Sequence, residues 1–226
     1  MLNIKSFRGF VLQQQCLLCG ETAPDETAIC KPCSSTLPWH SSQCCPQCGL
    51  MAFGNLCGNC IQHAPYFDQT HAVFNYTYPI DRILQSYKYK SALHLSQILG
   101  NLLAEKVKLQ HADIIIAMPL HPLRLQERGF NQSLEIAKVV ARHLNTQLDV
   151  QHCQRVVNTP PQASLALKDR VKNIKGVFNC LKSYQDQHIS VVDDVMTSGA
   201  SLNELAKTLK NAGAASVSCW LVARTL

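Results

Sequence analysis

The most restrictive feature of this sequence is the placement of its cysteines. Nine of the twelve fall between Cys16 and Cys60. Eight of these nine form four Cys-x-x-Cys pairs, which are Cys16 with Cys19, Cys30 with Cys33, Cys45 with Cys48, and Cys57 with Cys60. Two intervening residues let both sulfurs of a pair turn toward one metal ion, and two such pairs supply the tetrahedral thiolate set that Zn²⁺ prefers. The spacing therefore predicts structural zinc.

The spacing leaves open how the four pairs combine. In chain order they form two sites, with connectors of ten and eight residues. Combining the first pair with the third and the second with the fourth is also possible. Cys44 is left over, and a histidine ligand from His40 or His63 is possible but not required. Four protein ligands leave no open position on the metal, so we expect the zinc to be structural. Residues 1–65 would then be a small zinc-ribbon module that folds around its metal.

Composition and charge limit what the rest of the chain can be. The 226 residues are 46% hydrophobic and 16% charged, which excludes a disordered chain. No apolar run reaches the roughly 18 residues of a membrane span, and no signal peptide is recognisable, so we expect a cytoplasmic protein without membrane insertion. Basic and acidic residues balance in residues 1–67, whereas residues 68–226 hold eighteen basic and twelve acidic ones. Attraction for phosphate or nucleic acid is therefore expected in the second part.

Residues 66–226 alternate between strand-like and helix-like patterns. Short apolar runs at 114–118, 189–192 and 217–222 are typical of buried parallel strands. Apolar residues at helical spacing follow at 134–144 and 202–209. This alternation predicts an α/β domain with a mainly parallel sheet and helices on both faces.

The segment 189–201 carries the clearest functional pattern. A buried strand ends in Asp193 and Asp194, and a short loop then leads into a helix. The small and hydroxyl-bearing residues of that loop are Thr197, Ser198, Gly199, Ala200 and Ser201. Unpaired N–H groups at a helix start suit a phosphate, and adjacent carboxylates can accept hydrogen bonds from vicinal sugar hydroxyls. The pattern predicts a ribose 5-phosphate site; the alternative is a polar helix start in which Ser201 and Glu204 form a capping box.

This segment, Val-Val-Asp-Asp-Val-Met-Thr-Ser-Gly-Ala-Ser, resembles the phosphoribosyl-pyrophosphate signature of type I phosphoribosyltransferases. With the four cysteine pairs, Arg-Gly-Phe-Asn-Gln-Ser at 128–133 and the C-terminal Cys-Trp-Leu-Val-Ala-Arg-Thr-Leu, the chain resembles the ComF family over nearly its whole length. The resemblance implies a type I phosphoribosyltransferase-like fold. It makes Asp193 and Asp194 the catalytic, ribose-binding carboxylates and 197–201 the phosphate loop, with Mg²⁺ held largely by the bound phosphoribosyl pyrophosphate. Met196 stands where the signature often has a small or hydroxyl residue.

The resemblance also implies a pyrophosphate side after the strand at 114–118. Pro119 and Leu120 begin the loop that would contact pyrophosphate, and Arg128 is the stronger of two arginine candidates. Arginine suits bidentate contacts to phosphate oxygens. Arg124 is the weaker candidate, with an ordinary surface position as the alternative.

Further basic residues are candidates for contacts to pyrophosphate or nucleic acid. Residues 155–175 are basic and are expected to form a mobile loop over the pyrophosphate, with Arg170 and Lys172 as candidate contacts. Lys88 lies between two tyrosines on a predicted helix. Packing on the helix surface is the alternative for Lys88.

The family resemblance implies a role in natural transformation. We expect binding of phosphoribosyl pyrophosphate with Mg²⁺, handling of incoming single-stranded DNA, and contact with a DNA-uptake translocase or helicase. The alternative is an active phosphoribosyltransferase that transfers phosphoribose to an unidentified acceptor. The tyrosines at 76, 78, 87 and 89 are either base-stacking or core residues. No P-loop or Gly-x-Gly-x-x-Gly motif supports kinase or dinucleotide chemistry.

Overall fold

The computed structural model describes residues 14–24, 27–52, 55–89, 93–159 and 174–226. The chain falls into two compact units, Met1–Thr36 and Leu37–Leu226. The first contains α1 (Lys31–Thr36) and the first two cysteine pairs, and the second contains the other two pairs and the sheet. The module boundary placed at residues 65 and 66 from the sequence stays a prediction.

Helices and strands alternate along most of the second unit. The strands are β1 (Gln69–Asn75), β2 (Ile114–Ala117), β3 (Gln147–Asp149), β4 (Cys153–Arg155), β5 (Phe178–Cys180), β6 (His188–Met196) and β7 (Ser216–Arg224). The helices are α2 (Gly58–Gln62), α3 (Ile80–Tyr89), α4 (His94–Val107), α5 (Pro122–Arg128), α6 (Gln132–Leu144) and α7 (Ala200–Asn211). No helix in the described part of the chain combines the length and hydrophobicity needed to cross a membrane.

Five strands form one parallel sheet in the order β1-β7-β6-β2-β3. The apolar runs predicted as strands are β2, β6 and β7, the three central strands. These strands are almost continuously buried, which explains their apolar sequences. The short strands β4 and β5 pair with each other in a separate antiparallel ribbon.

Helices cover both faces of the sheet. On one face, Leu202 and Leu205 of α7 join Val191 of β6 in a buried apolar cluster. On the other, α4 and α6 pack against each other and against β7 and β6. Gly100 of α4 permits their close approach, because a Cβ there would lie 2.5 Å from the Cβ of Val139 in α6. The predicted α/β class is confirmed.

The carboxyl ends of β2 and β6 lie at the same edge of the sheet because these strands are parallel neighbours. Residues that follow the two strands therefore meet there, although more than seventy positions separate them in the sequence. This is where ligands bind in open α/β sheets. The candidate site lies at this edge.

Candidate functional site

The eight paired cysteines form two clusters in chain order, Cys16 with Cys19, Cys30 and Cys33, and Cys45 with Cys48, Cys57 and Cys60. In each cluster the four sulfurs lie within 4.8 Å of one another. The sulfurs of Cys19 and Cys30 are 3.5 Å apart, and those of Cys48 and Cys57 are 3.6 Å apart. Four sulfurs about 2.3 Å from a central Zn²⁺ would be about 3.8 Å apart, so both clusters fit a tetrahedral zinc ion.

The clusters settle which of the two pairings the fold uses. Chain order is correct, and the interleaved alternative is wrong. Cys44 belongs to neither cluster. His40 is buried with its Nε2 2.8 Å from the Gly49 carbonyl, so its ring makes a backbone contact outside the cluster.

The two clusters repeat the same backbone hydrogen bonds. In each, the amide of the first cysteine donates to the carbonyl five residues later, at 2.6 Å from Cys16 and 2.8 Å from Cys45. The glycine four residues after that cysteine has a positive φ and donates back to it at 2.9 Å. The first sulfur then accepts the amide of the third cysteine, Cys30 at 3.3 Å or Cys57 at 3.4 Å. The same metal-binding turn is therefore built twice.

These amides favour the charged form of the first cysteine in each cluster. Burial raises the pKa of Cys16, but neighbouring backbone N–H groups, that of Cys30 foremost, bring it down to about 6. The same opposition in Cys45, with the Cys48 amide foremost, gives a pKa of about 7. The thiolate is the form that binds metal, so both clusters are suited to zinc at neutral pH.

Asp193 and Asp194 lie near the carboxyl end of β6. The Asp193 Oδ1 accepts hydrogen bonds from the Ser133 hydroxyl at 2.8 Å and from the Asp194 amide at 2.9 Å. Burial and the adjacent Asp194 carboxylate raise the pKa of Asp193 to about 7, although the Ser133 hydroxyl and Lys88 oppose this. Asp193 can therefore gain or lose a proton near neutral pH.

Lys88 supplies the positive charge beside these carboxylates. Its Nζ lies 2.6 Å from the Asp194 Oδ2, and the two side chains are only 23% and 10% exposed. Burial lowers the pKa of Lys88, but the Asp194 carboxylate outweighs burial and the net shift is upward. Lys88 thus makes a specific ion pair between α3 and β6, and the alternative of surface packing does not describe it.

The start of α6 holds the Asp193 carboxylate. Asn131 caps the helix by accepting the Leu134 amide at 3.3 Å and donates to the Met118 carbonyl, at the end of β2, at 3.0 Å. This anchoring places Ser133 against Asp193. The Arg128 guanidinium donates to the Gln132 Oε1 at 3.1 Å. The segment 128–133 therefore orients a carboxylate as well as presenting an arginine.

The loop between β6 and α7 forms a small cleft. Gly199 has φ +77°, and a Cβ there would lie 2.6 Å from the Met196 Cε. Thr197 and Ser198 are exposed, and Ser198 Oγ accepts the Ala200 amide at 3.4 Å. The cleft has a volume of about 50 Å³ and is lined by Asp193, Val195, Met196, Thr197, Gly199, Ala200, Ser201 and Leu202. It brings one carboxylate of the pair together with the loop predicted to hold phosphate.

The predicted pyrophosphate side opens into a second, larger cavity. Pro119 and Leu120 line this cavity of about 400 Å³, together with Arg155. Arg124 makes an ion pair with Glu127 on its own helix at 3.0 Å. The sequence does not distinguish Arg155 from the other basic residues around it. The β4–β5 ribbon, in which Arg155 is the last residue of β4, places it beside the cavity.

Two predicted basic contacts, Arg170 and Lys172, lie outside the described residues. Among the four tyrosines, Tyr87 is fully buried and its hydroxyl donates to the Gln132 carbonyl at 3.0 Å, so it is a core residue. Tyr78 is 78% exposed. Of the lone cysteines, Cys153 and Cys219 are buried as expected for small apolar residues, and Cys180 is half-buried with its sulfur 3.6 Å from that of Cys153.

Residues 131–225 match the family model described as a phosphoribosyl transferase domain, and residues 8–61 match the double zinc ribbon domain. The chain is 34% identical over 221 residues to DNA utilization protein YhgH of Salmonella typhimurium, covering 93% of this chain and 97% of that protein. It is 29% identical over 241 residues to competence protein F of Haemophilus influenzae, covering 99% and 100%. It is 24% identical over 225 residues to competence protein ComFC of Streptococcus pneumoniae, covering 93% and 100%. The chain therefore belongs to the ComF family and joins a double zinc ribbon to a phosphoribosyltransferase-type domain.

Proposed function

We propose that this protein binds phosphoribosyl pyrophosphate with Mg²⁺ at the carboxyl edge of β6 and handles incoming single-stranded DNA in natural transformation. The observation that carries the first half is the pair Asp193–Asp194 beside the cleft of the following loop. Lys88 holds the Asp194 carboxylate and Ser133 holds that of Asp193, so both acids are oriented before any ligand arrives. Preorganised acceptors of this kind suit the two ribose hydroxyls.

The 5-phosphate would occupy the cleft ahead of α7. The twelve-residue helix directs its first N–H groups and the positive end of its dipole there. Gly199 lets the backbone pass close to a bound oxygen, and the hydroxyls of Thr197, Ser198 and Ser201 can donate to it. The Met196 methyl fills the space beside Gly199, so the residue that departs from the signature packs against the glycine of the loop.

The pyrophosphate would lie toward β2, between Arg128 and the loop at Pro119 and Leu120. Mg²⁺ would be held largely by pyrophosphate oxygens and water, which it prefers as ligands. Arg124, Arg170 and Lys172 stay sequence-based candidates for contacts on this side. What the chain itself supplies is orientation of the sugar and cationic charge around the phosphates.

Calorimetric titration of Mg²⁺–phosphoribosyl pyrophosphate into the wild type and into Asp193→Asn/Asp194→Asn tests this site. We expect binding by the wild type and at least a hundredfold weaker binding by the variant, with both zinc ions retained. Asp186→Asn, at an exposed position away from the cleft, is the matched control and should bind as the wild type does. Wild-type affinity in the double variant would contradict the site.

The DNA-handling half is supported by the names of the relatives, a DNA utilization protein and two competence proteins. It is also supported by the net positive charge of residues 68–226. A cytoplasmic location and contact with an uptake translocase or helicase belong to the same proposal. Anisotropy of labelled single-stranded DNA at two salt concentrations should show affinity that falls with salt and is reduced in Arg128→Gln. No binding even at low salt would contradict this half.

A second candidate function is catalysis, favoured by the match of residues 131–225 to the phosphoribosyl transferase domain. The oriented carboxylates would hold the ribose while an acceptor replaces pyrophosphate at C1 and gives up its proton to water. Adding nitrogen and oxygen nucleophiles in turn would then release pyrophosphate, and Asp193→Asn should abolish the release. Binding without release for every acceptor would leave ligand binding as the function.

A further inference from the structure

Arg224, the last residue of β7, makes an unusual set of contacts. Its side chain is buried, at 3% exposure. Its Nη1 donates to the carbonyls of Met196 at 3.0 Å and Thr225 at 2.7 Å, and also to that of Thr197. Its Nε donates to the carbonyl of Cys48 at 2.9 Å. One guanidinium therefore binds both the start of the phosphate loop and a cysteine of the second zinc cluster.

The turn that contains Cys48 is held along its whole length. Its four successive carbonyls each accept a hydrogen bond from elsewhere in the second unit. These bonds are Thr70 N to Pro46 at 2.9 Å, Thr70 Oγ1 to Gln47 at 2.6 Å, Arg224 Nε to Cys48 at 2.9 Å, and His40 Nε2 to Gly49 at 2.8 Å. The turn cannot shift without disturbing Arg224.

The charge of Arg224 also favours contact with the second zinc cluster. A buried guanidinium is costly without a compensating negative charge. Within the described residues no ion pair joins Arg224 to a carboxylate, and its hydrogen-bond partners are backbone carbonyls, one of them that of the cluster cysteine Cys48. Four thiolates around one Zn²⁺ carry a net charge of −2. The loaded cluster is therefore the counter-charge as well as the anchor of this arginine.

We propose that Arg224 is a positioning residue through which the second zinc cluster sets the conformation of the phosphate loop. The metal fixes the Cys48 turn, the turn fixes the guanidinium, and the guanidinium fixes the carbonyls of Met196 and Thr197. Those carbonyls determine where the amides of the next residues point. The inference rests on the proposed phosphoribosyl site for its ligand. Arg224 is the arginine of the C-terminal Cys-Trp-Leu-Val-Ala-Arg-Thr-Leu, so this segment gains a structural role.

Coupling of this kind is reciprocal, so a ligand on the loop must stabilise metal in the second cluster. Ribose 5-phosphate is a suitable probe because it fills the loop without requiring Mg²⁺. N-ethylmaleimide alkylation followed by chymotryptic digestion and mass spectrometry separates the two clusters, because cleavage after Trp39 places their cysteines in different peptides. Saturating ribose 5-phosphate should slow alkylation of the Cys45–Cys60 cluster at least threefold, with no such protection of the Cys16–Cys33 cluster. Equal protection of both clusters, or of neither, would overturn the proposal.

Three variants identify the arginine as the link. Arg224→Met should abolish this protection and weaken ribose 5-phosphate binding at least tenfold. Arg224→Lys keeps the charge but cannot bind carbonyls on both sides at once, so it should show an intermediate loss. Thr146→Val removes a comparable hydroxyl-to-carbonyl hydrogen bond, to Leu144 at 3.4 Å, outside both the turn and the loop, and should bind within twofold of the wild type.

Hydrogen exchange of the Asn203 and Thr225 amides, which donate to the loop carbonyls of Gly199 at 2.8 Å and Met196 at 3.0 Å, separates failure of the coupling from failure of the proposed function. It needs no ligand, and exchange should be at least tenfold faster in Arg224→Lys and Arg224→Met than in Thr146→Val or the wild type. Should the wild type not bind ribose 5-phosphate, the proposed function is wrong while exchange still tests the coupling. Unchanged exchange in Arg224→Lys would overturn the coupling, even if Arg224→Met failed to fold.

Discussion

Lys88→Met tests whether the ion pair at the sheet edge orders the carboxylates. The substitution keeps the length and apolar stem of the side chain and removes the ammonium group. Asp194, whose side chain is 10% exposed, would then lose the cation now 2.6 Å from its Oδ2. A buried carboxylate without its partner cannot regain full hydration, so the folded state should be destabilised.

The magnitude follows from the geometry. At an effective dielectric constant of about 20, unit charges with centres about 4 Å apart attract by about 4 kcal/mol. Breaking buried pairs by removing one partner costs about 3–5 kcal/mol. The 23% exposure of Lys88 places this pair at the lower end, and we expect a loss of about 3 kcal/mol. At about 2–4 °C per kcal/mol for a unit of this size, the melting temperature should fall by about 6–12 °C.

Urea unfolding followed by the fluorescence of Trp220, which is fully buried in β7, measures this loss. Trp39 is 43% exposed and should first be replaced by Phe in all samples. Lys108→Met is the matched control, because Lys108 pairs with Glu105 at 2.9 Å with both side chains more than half exposed. Such surface pairs contribute about 0–1 kcal/mol.

Equal destabilisation by Lys88→Met and Lys108→Met would refute the reasoning, since it attributes the larger loss at Lys88 to burial of the pair. The dependence on pH provides a second criterion. Without Lys88, two adjacent carboxylates share the site, and protonating one of them relieves the repulsion. The difference between variant and wild type should therefore be smaller at pH 5 than at pH 7.5, and a larger difference at pH 5 would also contradict the argument.

Three other predictions test separate parts of the molecule. Gly199→Ala places a Cβ 2.6 Å from the Met196 Cε at φ +77°. We therefore expect urea unfolding to show a loss of about 1–2 kcal/mol and calorimetry to show at least tenfold weaker ribose 5-phosphate binding. Unchanged affinity would contradict the assignment of this loop to phosphate. Folding raises the pKa of Asp193 to about 7, so the folded state binds the carboxyl proton of Asp193 more tightly than the unfolded chain does. The contribution of Asp193 therefore makes the folded state less stable as the pH rises from about 4 to 7. Asp193→Asn should accordingly lose less stability than the wild type between pH 5 and 7.5, and equal losses would argue against the shift. Elemental analysis should find two zinc ions in the wild type and one in each of Cys33→Ser and Cys60→Ser, whereas loss of both ions from either variant would mean that the clusters do not load independently.

The sequence revealed those parts of the fold whose physics is local. Buried parallel strands are apolar on both faces, so β2, β6 and β7 stand out as continuous runs. The cysteine pairs stand out because a tetrahedral metal imposes a fixed spacing. The edge strand β1 begins Gln-Thr-His, and β3 is three residues long, so neither carries the alternation or the length of a recognisable strand.

The contacts that complete the site could not be read in this way. The partner of Lys88 is 106 positions further along the chain, and nothing in the surroundings of either residue distinguishes an ion pair from a solvated charge. Among the described residues Arg224 binds only backbone carbonyls, so no carboxylate in the sequence identifies its role. Main-chain partners are independent of side-chain identity, and recognising them requires the fold itself.

The place of β7 in the sheet has a consequence for biosynthesis. The strand β1 is made first, yet its sheet neighbour is β7, and the bond between Asp68 and the Val217 amide spans 149 positions. During translation β1 therefore has no sheet partner until β7 and nearly all of the chain before it have left the ribosome. Exposed strand edges are sites of misassembly, and closing so long a loop is slow. We expect this domain to acquire its native sheet only after translation of β7 and to depend on chaperones until then.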